Sequence, residues 1–501
     1  MAEQSSSQIP PDLPALPFER VNEFPDRLSP MLVKELRQGM RTSSFVILFV
    51  LLQAILTIVL LIASLIGLSD ITSDTSSTGR FVTGFILLIY SLGVLVFQPL
   101  RGISAIATEV RENTIDLMTL TSLTAWRIVF GKWLSIVSQS ALIAGAVLPY
   151  LIISYFFGGM QMFPELTLWL ALFVVSGALT AITVGISAVG NAMVRGLLVV
   201  GGAALIMGCL LFTFIPHIPY LIEMLTFTRG DQTRSAIAFL VAACYICYFF
   251  LELGTTAIAP SSENRATRKR LIGLGVLALC YLLLRPTGEG IALFTALGIA
   301  GCIALDLFSE RVSFPPIVCW KFVRLGVLGR IAGRFLYPGW GTGSLFFLAL
   351  TVVLCMLIYL TNSNLRDYTI ALLGIGTLAF PAVIIQVFAR NSTNRFSIYF
   401  FILLATLILS RILGFLYEIL SGELLLWIFS FIPAVLLPLA SQSASTAEPL
   451  TLLFAAIGIT SVYLLVILAR SLQQLGHLST LESEAQRGLD DSLLGSTDSE
   501  R

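Results

Sequence analysis

Charge is scarce in this chain. Lysine, arginine, aspartate and glutamate make up 12% of its 501 residues, where an ordinary soluble protein carries about a quarter. Histidine is scarcer: His217 and His477 are the only two and form no H-E-x-x-H, which excludes a zinc site of that kind. No G-x-x-x-x-G-K-[ST] is present; Gly131-Lys132 lacks the preceding glycine loop and is followed by Trp133, which cannot hold magnesium as Ser or Thr would. The chain therefore has no such loop with which to bind and hydrolyse ATP. Net charge is only +1, and basic residues do not alternate with aromatic ones, which argues against nucleic acid as a partner. No basic segment followed by a short apolar core stands at the start, so no cleaved signal peptide is expected.

Disulfide chemistry is equally poorly represented. Of the seven cysteines, all but Cys319 fall inside apolar runs, whereas a disulfide framework would place them in polar outer loops. Cys244 and Cys247 form a C-x-x-C, but in A-A-C-Y-I-C-Y-F-F a spacing of three is one helix face, and both read as small buried hydrophobes.

What the chain has is apolar surface. Hydrophobic residues make up 56% of it and mean hydropathy is +0.91, too much for a soluble core to hide. The expected fold is all-α, a polytopic membrane bundle of 12 to 13 spans at about twenty residues per crossing. Thirteen segments qualify: 44–67, 81–100, 129–156, 165–190, 196–216, 235–258, 271–285, 290–307, 344–360, 369–388, 397–417, 423–440 and 449–469. With the N-terminus inside, the inner segments hold twenty-one lysines and arginines and the outer loops five, a bias that sets the orientation by the positive-inside rule.

Residues 1–29 are polar and hold five prolines, and are expected to be a disordered cytoplasmic tail. From Pro30 the spacing of Lys34, Arg37 and Arg41 puts three cations on one helical stripe, with Leu32, Leu36 and Met40 opposite. Such a helix lies in the membrane interface, its cations toward anionic headgroups. Between the second and third spans comes E-V-R-E-N-T-I-D-L-M-T-L-T-S-L-T-A-W-R-I-V-F-G-K, residues 109–132. Asn113 or Thr114 can cap a short helix, Asp116 falls in its positively polarised first turn, and Leu117 and Leu120 share a face. Squeezed between two spans, that helix has little of its own chain to pack against, which makes it a candidate docking point.

Glu109, Arg111, Glu112, Asn113, Thr114, Ile115, Asp116, Leu117, Thr121, Leu123, Gly131 and Lys132 resemble the coupling-helix motif of type 2 ATP-binding-cassette transporter permeases, and M-L-V-K-E-L-R-Q-G-M-R resembles that family's elbow helix. Asn113 stands where glycine is usual and Ser122 where proline is usual; both keep the capping physics. The resemblance covers residues 30–260, read as a six-span permease domain. It implies a membrane subunit of an exporter, with Glu109, Arg111, Glu112, Asn113, Thr114, Asp116, Leu117 and Leu120 contacting a separate ATPase subunit that binds the ATP. It also implies a homodimer or heterodimer of permeases in the cell's inner (plasma) membrane, the lipid bilayer itself being a partner, and no cofactor in this chain.

Residues 261–470 read as a second membrane domain of six to seven spans, and 471–501 as a polar, acidic tail. Thirteen spans would put that tail outside, twelve inside. The outer segment 217–234 reads either as a short surface helix near Tyr220 to Leu225, as the resemblance implies, or as a plain loop. The inner loop 308–343 collects Trp320, Lys321, Arg324, Arg330, Arg334, Tyr337 and Trp340, an interfacial composition, but its basic residues share no single helical face and predict no second elbow helix. Glu252, inside the sixth span, is a candidate transport-path group because burying a charge is costly. Arg411 can extend outward toward Glu418. Gln53, Gln139, Asn191 and Gln386 read as interhelical hydrogen-bonders.

Two other functions compete with the exporter. A secondary transporter would hold several paired ionisable groups and interrupted helices in its spans, and the sequence offers few. A lipid-linked sugar transferase would carry clustered acids or histidines in outer loops, which here are short and poor in both.

Overall fold

The structure is a computed structural model. It describes residues 30–69, 75–112, 124–158, 161–189, 192–211, 215–260, 263–310, 314–361, 364–389, 392, 394–420, 424–442 and 449–498. It is 89% helical and has no strand among the described residues, as an all-α bundle requires.

The first half comprises α1 (Pro30–Arg41), α2 (Ser43–Ser69), α3 (Thr75–Ser91), α4 (Gln98–Gly102), α5 (Ala107–Arg111), α6 (Ala125–Tyr155), α7 (Met162–Val189), α8 (Ala192–Leu197), α9 (Ala203–Cys209), α10 (Ile215–Met224) and α11 (Gly230–Ile258). A π-turn at Leu92–Phe97 joins α3 to α4 within one span, and the Ser176 hydroxyl donates to the Val94 carbonyl at 2.7 Å, giving the widened turn a partner from α7. Another π-turn, Leu198–Gly202, joins α8 to α9. α10 settles the outer segment as a helix rather than a plain loop. α7 and α11 cross closely, because a Cβ on Gly185 would fall onto the Phe250 carbonyl and one on Gly254 would lie 3.1 Å from the Gly185 Cα.

The second half comprises α12 (Ala266–Leu284), α13 (Glu289–Ser309), α14 (Trp320–Val323), α15 (Gly326–Leu336), α16 (Trp340–Leu360), α17 (Leu365–Phe388), α18 (Arg395–Leu420), α19 (Leu424–Ile428), α20 (Leu437–Gln442) and α21 (Pro449–Asp498). Its core is continuous with the first half: Tyr245, Phe249 and Leu253 of α11 belong to one buried cluster with residues of α12, α13, α16 and α17.

Among the described residues eleven helices are long and apolar enough to cross a membrane, so the chain is a multi-pass membrane protein. α12 runs beside the apolar helix α16, with Arg270 donating to Thr342 at one end and the Tyr281 and Thr361 hydroxyls meeting at the other, and is read as a twelfth crossing. Its first turn carries Arg268, Lys269 and Arg270, which lower its hydropathy, but its 19 residues reach roughly 28 Å at 1.5 Å per residue and it packs between α11 and α13.

The expected span 423–440 is not a span. α19 stops at Ile428, Pro433 opens a 3-10 turn, and α20 ends at Gln442. Pro433 and Pro438 lack amide donors and cannot continue a regular helix, yet Ala434, Val435 and Leu436 are fully buried. Irregular backbone at membrane depth persists only inside protein. Here the Ser410 hydroxyl donates to the Ala434 carbonyl at 2.5 Å and the Tyr463 hydroxyl to the Phe431 carbonyl. Arg366, at the outer end of α17, donates to the Ser441 carbonyl. Residues 424–442 therefore dip in from the outer side and return.

That hairpin decides the side of the tail. α21 is 50 residues long, roughly 75 Å, and only about twenty residues are needed to cross. Beyond the membrane its Leu478 and Ala485 are buried with Cys319, Val323 and Tyr337 of the inner loop, and the Ser471 hydroxyl donates to the Gly341 carbonyl at 2.7 Å. The tail shares the inner side with that loop, which fits twelve crossings. Burial pushes the Cys319 thiol up to about 11. With the other six cysteines replaced, Cys319 is expected to resist maleimide in the intact protein and to react when the chain is ended at Ser471. Equal reactivity before and after truncation would place the tail elsewhere.

Candidate functional site at the inner face

α1 forms because Pro30, at its first position, needs no amide partner, and because Leu32 and Leu36 fall one turn apart. Leu32 is buried and Lys34, Arg37 and Arg41 are exposed, as the stripe predicts. The helix is fastened at two points. At its end, Arg101 donates to the Gly39 carbonyl at 3.3 Å, to the Thr42 hydroxyl at 2.9 Å and to Gln139, so a cation sits at the negative end of the helix dipole. A Cβ on Gly39 would meet the far end of the Gln139 side chain, which would have to shift beside Arg101. Along its length, Glu35 turns inward to Lys132 of α6 at 3.4 Å, and Lys132 also holds Glu109 of α5 at 2.7 Å. Lys132 is buried, so the two carboxylates compensate a cation largely shielded from water.

This triad joins the three parts singled out in the sequence: the interfacial helix, the acidic start of the 109–132 stretch, and the Gly-Lys that opens the third span. Glu109 is engaged within the chain. Arg111 and Glu112 face solvent beside it, with Val110 exposed. Asn113, Thr114, Asp116, Leu117 and Leu120 lie outside the described residues. Next to α1 an open surface groove of about 580 Å³ is lined by Val33, Lys34, Arg37, Gln38, Arg41 and Thr42, three of them cationic.

A second set of charges lies where the halves meet. Glu252 is fully buried on α11 and accepts from both Arg265 and Arg268 at 3.0 Å. Lys269 meets Asp306 of α13 at 2.6 Å, both nearly without solvent contact. Arg270 meets Glu310 at 2.6 Å and donates to the Phe335 carbonyl, and Glu310 also accepts the Gly339 amide at 2.7 Å. Burial raises the Glu310 carboxyl above the ordinary range, against the pull of Arg270. All four cations of the S-S-E-N-R-A-T-R-K-R loop thus meet acids, and they pin α11, α13 and α15 together. Glu252, read from sequence as a transport-path candidate, sits in a two-arginine clamp at the inner boundary. Arg411 is exposed on α18, far along the chain from that clamp.

The sequence reading missed the Lys132 triad and this ion-pair seam. A signal existed for the seam: Glu252 and four cations flank Pro260, and a tight α11–α12 connection must bring them together. For the triad no local pattern could have served, since Glu35 is 97 residues from Lys132. Among the described residues no group of histidine, cysteine or carboxylate side chains is arranged to hold a metal. Comparison with protein families, with curated proteins and with solved structures finds no match for this chain.

Proposed function

We propose that the chain is the membrane-spanning permease subunit of a type 2 ATP-binding-cassette exporter in the cell's inner membrane, working as one of two permeases with a separate ATPase. The observation that carries this reading is the Glu35–Lys132–Glu109 triad. It makes one mechanical piece of the interfacial helix, the segment leading into residues 113–120 and the start of the third span. A push delivered by an ATPase at 113–120 would therefore reach α6 and α1 together, and through α6 the bundle. Glu112 and Arg111 remain at the surface to meet the partner, and Leu117 and Leu120 supply its apolar contact. No nucleotide loop is needed in this chain, because the partner carries it.

The test is nucleotide hydrolysis. Purified alone, the chain is expected to show no ATP turnover above background, and purified gently from its own membranes it should bring a stoichiometric subunit carrying G-x-x-x-x-G-K-[ST] and vanadate-sensitive turnover. Robust hydrolysis by the isolated chain, or a fully active transport preparation with no ATPase, would overturn the assignment.

Besides the buried ion pairs of the seam, whose acids and cations neutralise one another, a secondary transporter is favoured by the interrupted helix of the hairpin at 424–442. Its described residues include no ionisable side chain, and the Phe431 and Ala434 carbonyls already accept hydroxyl protons. Among the described residues 424–442 there is thus no carboxylate for a coupling ion, and the ATP-driven reading is kept ahead of it.

A further inference from the structure

The inner loop 314–339 contains a feature that the first-half reading does not touch. Its basic residues spread over too long a stretch to share one face, but the structure breaks the stretch in two: α14 ends at Val323, and Gly326, at φ +70, starts α15 afresh. Within α15, Arg330 and Arg334 are four apart and do share a face. The structure thus makes α15 a helix in its own right, with two of the loop's cations on one face. Gly329 and Gly333 form the inward face, where a Cβ would strike the Phe322 carbonyl and the Tyr337 ring. On the opposite side Val327 is 75% exposed, Leu328 80%, Ile331 53% and Phe335 37%.

Three observations identify what covers this stripe. First, depth: Arg270 and Thr267, in the opening turn of α12, hold the Phe335 and Leu336 carbonyls at 2.6 and 3.0 Å, so the end of α15 lies level with the point where α12 enters the membrane. Second, charge: α15 has no acidic residue, Arg334 is exposed at the edge of the stripe, Arg330 reaches the Gln486 side chain, and Lys321 of the adjoining α14 and Arg324 just after it are exposed. Third, position: α15 leads through Tyr337–Gly339 straight into the span α16, as α1 leads through Thr42 into α2. A stripe of large aliphatic side chains flanked by cations, at this level, matches an anionic leaflet.

We propose that α15 is a second membrane-interface helix, with Val327, Leu328, Ile331 and Phe335 set at the acyl boundary of the inner leaflet and Lys321, Arg324, Arg330 and Arg334 holding anionic phospholipid headgroups. The proposal is independent of how the protein is powered. It gives the second half its own lipid anchor and makes the position of the ion-pair seam, through Arg270 and Phe335, responsive to the charge of the leaflet.

The test uses the full-length chain with its seven cysteines replaced and Leu328→Cys carrying a nitroxide, reconstituted in nanodiscs of phosphatidylcholine alone or with an equal part of phosphatidylglycerol. In the mixed discs the label is expected to collide with oxygen and to be shielded from a water-soluble nickel chelate. Each of Arg330→Gln and Arg334→Gln should raise the chelate-accessible fraction about fivefold in mixed discs, with a smaller change in neutral ones. Free access of the chelate in both lipids would overturn the proposal, as would shielding that develops only when an ATPase subunit is added, which would make the stripe a protein-docking face. Shielding that ignores phosphatidylglycerol would overturn the headgroup contact. Ile331→Cys, one turn on, gives the same reading should Leu328→Cys not assemble.

Discussion

Asp306→Ala is expected to destabilise the protein by about 3–5 kcal/mol, the cost of leaving a buried cation without its counter-charge. Lys269 and Asp306 have side-chain exposures of 2% and 5% and approach to 2.6 Å, so neither can recover water when the other is lost. The effect should extend beyond the pair, because Lys269 stands between Arg268 and Arg270, which hold Glu252 and Glu310. A shifted Lys269 pulls on the Arg268–Glu252 contact between the halves and on the Arg270–Glu310 contact within the second half. Replacing both partners with apolar residues of similar size, Lys269→Met with Asp306→Leu, should restore most of the loss, since a buried ion pair costs much of its own attraction in desolvation. Thermal unfolding in detergent, followed by loss of a monodisperse elution peak, gives the comparison. A single variant as stable as the parent would show that the pair is not a structural latch.

Lys132→Met should act on coupling more than on folding. Glu35 and Glu109 keep 22% and 14% side-chain exposure and can partly rehydrate, so the loss of stability is expected near 2 kcal/mol, smaller than at Lys269. The end of α1 stays held by Arg101, but its middle and α5 lose the cation that joined them and instead present two carboxylates to each other. Nitroxides at Lys34→Cys and Glu112→Cys should then report a broadened distance distribution by pulsed electron resonance. The ATPase should stay bound through 113–120 while its turnover becomes insensitive to the permease. Lys132→Arg, which keeps the charge, should restore both. An unchanged distribution in Lys132→Met would remove the mechanical link on which the proposed function rests.

Local pattern carried the reading of α1: three cations and three apolar residues at helical spacing are a property of twelve consecutive residues, and the helix formed as expected. The spans were legible for the same reason. The hairpin at 424–442 was misread because its hydropathy equals that of a span; the distinguishing signal was Pro433 and Pro438, five residues apart in a run otherwise broken only by Glu423 at its start and by Ser430. α15 was missed because the break at Gly326 depends on one backbone angle, without which residues 320–340 look like a single stretch with scattered cations. Glu252 looked costly because its partners, Arg265 and Arg268, lie across the turn after Pro260 and were counted as loop charge. The triad at Lys132 depends on how α1, α5 and α6 pack, which no stretch of sequence encodes by itself.

Residues 113–120 are proposed as the place where a separate ATPase takes hold, and a photo-crosslinker at Leu117 in intact membranes reads that contact. One dominant product is expected, joining this chain to a polypeptide with a G-x-x-x-x-G-K-[ST] loop, with a yield that changes with bound nucleotide and is lost from Tyr220 on the outer side. Leu117→Asp is also expected to release that polypeptide, since losing a well-buried leucine at an interface centre costs about 2 kcal/mol or more, whereas Glu112→Lys should weaken assembly mainly at low salt. A crosslinker at Leu117 that reaches only this chain's own inner surface, with no ATPase captured in any nucleotide state, would contradict the account.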